Sequence, residues 1–160
     1  MAADKTNAMR MLDKGKVAYT VYHYQTDDGI IDALHTAEKL GLPPEMLYKT
    51  LVTRGASGKD FFVFVIPAPA ELDLKAAARA VGQKSVSMVH VAELLSITGY
   101  IRGGCSPVGM KKQYKTVFDS SCTGLEKMIV SGGKIGHMIG LAPSDLLKVT
   151  RGITAPICMG

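Results

Sequence analysis

The stretch Tyr48–Pro67, YKTLVTRGASGKDFFVFVIP, constrains this chain more than any other. Phe61–Ile66 is an unbroken apolar run bounded by a turn on one side and a proline on the other. A run of that length reads as a strand buried on both faces. Its partner is a second strand near Tyr48–Arg54, joined to it through GASGK. The second strand of this hairpin, near Asp60–Pro67, must therefore sit inside a sheet with cover above and below.

The flanking sequence supplies the cover. A short helix is expected over Asn7–Lys14, stopped by Gly15. Lys16–Tyr24, rich in β-branched and aromatic residues, predicts a strand. Asp32–Gly41 predicts a helix with Asp32 as N-cap, Gly41 as C-cap and Ala33, Ala37 and Leu40 on its apolar face. Further helices are expected in ELDLKAAARAVG, capped by Asp73, in VAELLSITG, and in SDLLKVTRG, capped by Ser144. SVSMV, YKTVFD, LEKMIVS, HMIGLA and TAPIC predict five more strands. Helices and strands mix without strict alternation, so the expected class is α+β. The expected form is one domain over residues 1–160, with a mixed, curved or barrel-like sheet surrounded by helices.

Composition narrows the function. The 160 residues are 47% hydrophobic and 21% charged, enough for one core and too apolar for disorder. The formal net charge of +5 permits a polyanionic partner without requiring one. The N-terminus has no uninterrupted apolar segment of a signal peptide, and no stretch reaches a membrane-spanning length. Cys105, Cys122 and Cys158 are far apart and form no CxxC pair, which argues against zinc and disulfides. His23, His35, His90 and His137 form no metal-binding spacing. A cytoplasmic protein without metal or cofactor is expected.

The chemistry points to Tyr100–Lys112, YIRGGCSPVGMKK. It matches neither G-x-G-x-x-G nor a P-loop, and no GxSxG elbow occurs. Cys105 or Ser106 could be a nucleophile, but Gly-Gly followed by Ser-Pro reads first as a backbone cradle for an anion or a carbonyl oxygen. Gly132 and Gly133, in SGGKIG, read as a hairpin turn. Lys49, at the start of an apolar strand, is either a solvated edge residue or a pocket cation suited to phosphate. Lys111, Lys112 and Lys115 fit either an RNA backbone contact or a solvated face.

The ordered series YKTLVTRG, TGYIRGGCSPVGMKKQYKTVFD and IVSGGKIGHMIGLAPSDLLKV strongly resembles the YbaK/EbsC family. These are free-standing relatives of the editing domain of bacterial prolyl-tRNA synthetases. The resemblance runs from about Tyr19 to the C-terminus. It implies deacylation of mischarged Cys-tRNA(Pro), with Cys-tRNA(Cys) as a further substrate, on tRNA(Pro) in transient company with prolyl-tRNA synthetase. It implies neither DNA nor membrane as a partner. It implies that Lys49 holds the tRNA 3′ end and that Gly103, Gly104, Ser106 and Pro107 form the ester-positioning loop. It implies that Tyr24, Ser131 and Gly132 line the substrate pocket. Asp145 and His137 lie near the pocket-forming segments without an assigned role. The implied mechanism uses the substrate's own thiol, which would attack its ester and release a thiolactone. A deacylase for alanine or another small residue, and a non-catalytic tRNA-binding module, are the alternatives.

Overall fold

The structure is a computed structural model that describes residues 5–30 and 32–160. Along the chain run α1 (Asn7–Lys14), β1 (Thr20–His23), α2 (Ala33–Leu40), β2 (Tyr48–Gly55), β3 (Phe61–Pro67), α3 (Leu74–Ala80) and β4 (Val86–Met88). Then follow α4 (Val91–Thr98), β5 (Lys115–Asp119), β6 (Met128–Lys134), β7 (His137–Leu141), α5 (Pro143–Thr150) and β8 (Ile153–Ala155). The class is α+β. The strands form two sheets, β4-β2-β3-β5-β8 and β1-β7-β6, rather than a closed barrel.

The β3 strand is central, antiparallel to β2 and parallel to β5. Its alternation explains the unbroken apolar run. Phe62, Phe64 and Ile66 pack with Ala77, Ala78 and Val81 at α3. Val63 and Val65 pack on the other face with Ala8, Met9 and Leu12 of α1 and Leu146 of α5. All five are 8% exposed or less. A polar residue at any of them would be buried without a partner.

The smaller sheet pairs β7 with β1 and β6, both antiparallel. The two sheets share one core, where Tyr48, Val52, Val63 and Val65 pack with Met128, Val130 and Ile139, and a parallel bridge joins Leu47 to Ile129, both fully buried. Beyond that bridge the register of β6 breaks between Ser131 and Lys134. Gly132 and Gly133 occupy this irregular stretch, and the turn itself falls at residues 135–136. The hairpin expected there exists, but its glycines belong to the strand. Gly133, at φ 97, supplies a backbone conformation that a side chain resists.

Several element ends differ from expectation, among them β6, which starts at Met128 rather than Leu125, and β8, which ends at Ala155; two others have a plain cause. Helix α5 starts at Pro143 after Ala142, with no side-chain cap, so Ser144 lies inside the first turn. Proline's fixed φ suits the first helical position and sets the start. Strand β1 begins only at Thr20, because residues 15–17 still bond back onto α1: Lys16 N–H donates to Asp13 O and Val17 N–H to Leu12 O. The expected caps Asp32 and Asp73 accept from His35 and from Lys75 and Ala76, respectively.

Asp119 ties the end of β5 to the C-terminal segment. Its carboxylate accepts from Ile157 N–H at 3.1 Å and Ser121 N–H at 3.2 Å. Burial opposes its ionisation, but hydrogen bonds from Ser121, Ile157 and Cys158 outweigh it and hold its pKa below the ordinary aspartate value. A lowered folded pKa contributes stability above the unfolded value that is lost as pH falls through the folded one. Asp119→Asn is therefore expected to cost about 1–3 kcal/mol near neutral pH. The loss should shrink below about pH 4, in urea melts taken across that range.

Candidate active site

A cleft of about 270 Å³ opens where β2 and β6 part. One wall is Tyr48–Leu51 of β2. Successive side chains of a strand point to opposite faces. Here β4 pairs only with Thr53–Gly55, leaving the start of β2 without that neighbour. The cleft wraps this free edge, so Lys49, Thr50 and Leu51 all reach it.

The second wall comes from β6, β7 and the segment after β1. Ser131, Met138 and Tyr24 line it. Ser131 Oγ accepts from Gly133 N–H at 3.3 Å, within the irregular stretch of β6. Tyr24 is fixed from two directions. Its N–H donates to Gly136 O at 3.0 Å, and the Lys39 ammonium lies 5.6 Å from its ring centroid. Lys39 also donates to Gln25 O, Asp28 Oδ1 and Ile30 O at 2.8–2.9 Å. One lysine thus ties down the segment 25–30 and the ring beside it.

The loop after α4 closes the third side with Arg102, Gly103 and Cys105. Gly104 N–H donates to Ile101 O at 3.0 Å, and Gly103 has φ 84. That is a type II turn, which needs glycine at its third position. A Cβ on Gly104 would meet Ile135 N at 3.0 Å, so the loop backbone rests directly on the β6–β7 turn. The Tyr100 hydroxyl donates to Val108 O at 2.6 Å and staples the loop shut. Ser106 Oγ accepts from Val108 N–H at 3.2 Å.

Of the residues expected from sequence, the structure brings Tyr24, Lys49, Gly103 and Ser131 to one cleft. Gly104, Ser106, Pro107 and Gly132 stand behind them. Ser106 is fully buried in the loop's own turn. Pro107 faces a separate small pocket that Lys112 also lines. Lys111 donates to Ser96 O at 3.3 Å, near the carboxyl end of α4, and Lys115 is exposed at the start of β5. None of these three lysines lines the cleft. Neither do Asp145 and His137; His137 packs edge-on against its cross-strand partner His23, with ring centroids 4.6 Å apart.

Sequence reasoning passed over Thr50, Asp32 and Arg102. Thr50 Oγ1 is buried with no hydrogen-bond partner. Such a hydroxyl is costly unless a ligand completes it. Its adjacency to Lys49 was the available signal. Asp32 contributes a carboxylate that is already engaged, by His35 N–H at 3.0 Å and the His35 ring at 2.7 Å.

Cys105 lines the cleft yet is only 8% exposed. Burial pushes its thiol up to about 11, against a hydrogen bond from Thr98 that acts the other way. At neutral pH it is a protonated thiol and a poor nucleophile. The cleft thus offers cations, hydroxyls and backbone groups, an arrangement that orients a ligand.

The chain matches the family model of the aminoacyl-tRNA editing domain over residues 29–149. It belongs to the aminoacyl-tRNA editing family. An Enterococcus faecalis protein named as a candidate Cys-tRNA(Pro)/Cys-tRNA(Cys) deacylase, EbsC, is 46% identical over 153 residues, covering 96% of this chain and 93% of the relative. A proline–tRNA ligase of Fervidobacterium nodosum is 25% identical over 136 residues, 79% of this chain but only 23% of the ligase. A crystal structure of a candidate trans-editing enzyme for prolyl-tRNA synthetase superposes with a TM-score of 0.83 at 24% identity, over 96% of each chain. This last likeness establishes the editing-domain fold.

Two outcomes follow from the loop. Tyr100→Phe leaves Val108 O without its buried donor and should cost about 1–3 kcal/mol, read from thermal melting. Cys105 has its pKa raised from 9.0 to about 11, so its contribution to stability is present below about pH 9 and lost as pH rises towards about 11. Cys105→Ala should flatten that alkaline loss in urea melts taken across this range.

Proposed function

We propose that this protein clears cysteine from mischarged tRNA(Pro), acting in trans beside prolyl-tRNA synthetase. The observation that carries this reading is the pairing of a free lysine with a backbone loop across one cleft that has no activated nucleophile. Lys49 has no carboxylate partner among the described residues. It would hold the phosphate at the tRNA 3′ end, while the turn at Gly103 and Gly104 positions the aminoacyl ester. The kinship to EbsC, at 46% identity, supports the same substrate class.

The missing nucleophile would come from the substrate. The cysteine thiol attacks its own ester carbonyl; a C–S bond forms and the C–O bond to the ribose breaks. The thiol proton ends on the ribose hydroxyl, giving a thiolactone and free tRNA. The protein contributes orientation of thiol and carbonyl, and donors for the developing oxyanion. Substrate selection would then rest on chemistry that serine and alanine lack.

Lys49→Ala is expected to lower kcat/KM on Cys-tRNA(Pro) by on the order of 100-fold, since a misplaced ester loses that much. Cys105→Ala should deacylate within about twofold of wild type, because the thiol that reacts belongs to the substrate. Ser-tRNA(Pro) and Ala-tRNA(Pro) should turn over slowly. Equal turnover of all three aminoacyl-tRNAs would overturn thiol assistance. Salt-sensitive tRNA binding with no deacylation would mark a binding module instead.

A further inference from the structure

Two cations face the cleft, and the proposed reaction has used only one. Arg102 stands on the second position of the turn Ile101–Gly104, held by the 3.0 Å hydrogen bond that closes it. Gly103 at φ 84 and the close seat of Gly104 on the Ile135 backbone fix that turn. The side chain is thus carried on a rigid corner and lines the cleft together with Lys49.

Arg102 has no carboxylate partner among the described residues, unlike Arg54, which is paired with Glu93. The carboxylate that lines the same cleft, Asp32, is engaged by His35. Among the described residues, Lys49 and Arg102 thus outnumber the one carboxylate that lines the cleft with them. The anions that a cysteinyl-RNA carries near its ester are its backbone phosphodiesters. Guanidinium presents planar paired donors that match a phosphate's oxygens, whereas ammonium is a point charge.

We infer that Arg102 binds a second phosphodiester of the RNA 3′ strand, one nucleotide before the phosphate taken by Lys49. The inference rests on the aminoacyl-tRNA reading. A single phosphate contact leaves the ester free to swing about that point. A second contact fixes the direction of the strand and presents the carbonyl to the Gly103 turn. Both contacts are to backbone, so they hold the 3′ end without reading its bases.

Three cysteinyl esters separate the two cations: cysteinyl-adenosine with no phosphate, cysteinyl-adenosine 5′-phosphate with one, and 5′-phosphorylated cysteinyl-CpA with two. For wild type, kcat/KM should rise at each added phosphate, by roughly tenfold per good charge-assisted contact. Arg102→Ala should match wild type on the first two esters and lose the gain from the second phosphate, chiefly in KM. Arg102→Lys should recover part of that gain. On Cys-tRNA(Pro), Arg102→Ala should make the slope of log kcat/KM against log salt shallower by about 0.7, one contact on a single strand. Arg102 is exposed, so thermal melting should shift little. An Arg102→Ala protein that keeps the second-phosphate gain, or that falls equally on all three esters, overturns the inference. Wild type inactive on every ester and on Cys-tRNA(Pro) overturns the deacylase reading itself.

Discussion

The parting of β2 from β6 creates the cleft, and the bridge between Leu47 and Ile129 marks the point where they part. Leu47 and Ile129, both fully buried, pair there, and Tyr48, Val52, Val63 and Val65 share one core with Met128, Val130 and Ile139. On one side of that point, β3 locks β2 in register over its whole length, from Tyr48 opposite Pro67 to Arg54 opposite Phe61. On the other, the irregular register after Ser131 turns β6 away. Two strands that start side by side therefore diverge, and the space between them has a rigid wall. A one-residue slip of β2 would exchange every side chain between faces. The packed faces of β3 forbid it, so the position of Lys49 is fixed by apolar burial more than by any contact of its own.

The loop at Gly103 is fixed by different physics. Tyr100, Cys105 and Val108 anchor it in the core, and hydrogen bonds and close backbone approach set its shape. Tyr100 joins its two ends, Ser106 completes its inner turn, and Gly104 lies against the β6–β7 turn. Its polar side chains are consumed in holding its shape. That is why Ser106, a tempting nucleophile in the sequence, sits buried behind the site; burial is what keeps Cys105 a thiol. A cradle made of backbone must be stiff to be useful, because the donors it offers are aimed only if the peptide planes cannot turn.

Local signals in the chain carried much of this. The unbroken run Phe61–Ile66 demanded a doubly covered strand, and both covers are there. The caps at Asp32 and Asp73 act through bonds to N–H groups two or three residues on, so they were readable from short stretches. Tyr24, Lys49, Gly103 and Ser131 were legible because a known family carries them in the same order. Contacts between distant segments were not legible. Nothing in the sequence says that Leu47 pairs with Ile129, or that β4 stops short of Thr50. Those two facts open the edge of β2 that Lys49, Thr50 and Leu51 line. Gly132 and Gly133 looked like a turn because Gly-Gly usually is one; here the next two residues turn, and the glycines carry the strand's irregularity. The lysines at 111, 112 and 115 clustered in sequence but follow a path away from the cleft, with Lys111 spent on the carbonyl end of α4.

A cleft with cations but no nucleophile poses a problem of selectivity as well as catalysis. Cysteine and serine differ at one atom, and a pocket alone separates such close analogues by only about 1–3 kcal/mol. Binding every 3′ end alike through phosphates, and letting the substrate's own thiol complete the reaction, moves the discrimination from the pocket to the chemistry. The protein then needs no contact that distinguishes sulfur from oxygen. It needs only to hold any aminoacyl ester at attack geometry and to exclude side chains too large for the walls at Tyr24, Leu51 and Met138. On that view the rigidity of the Gly103 turn and the fixed register of β2 are the catalytic apparatus.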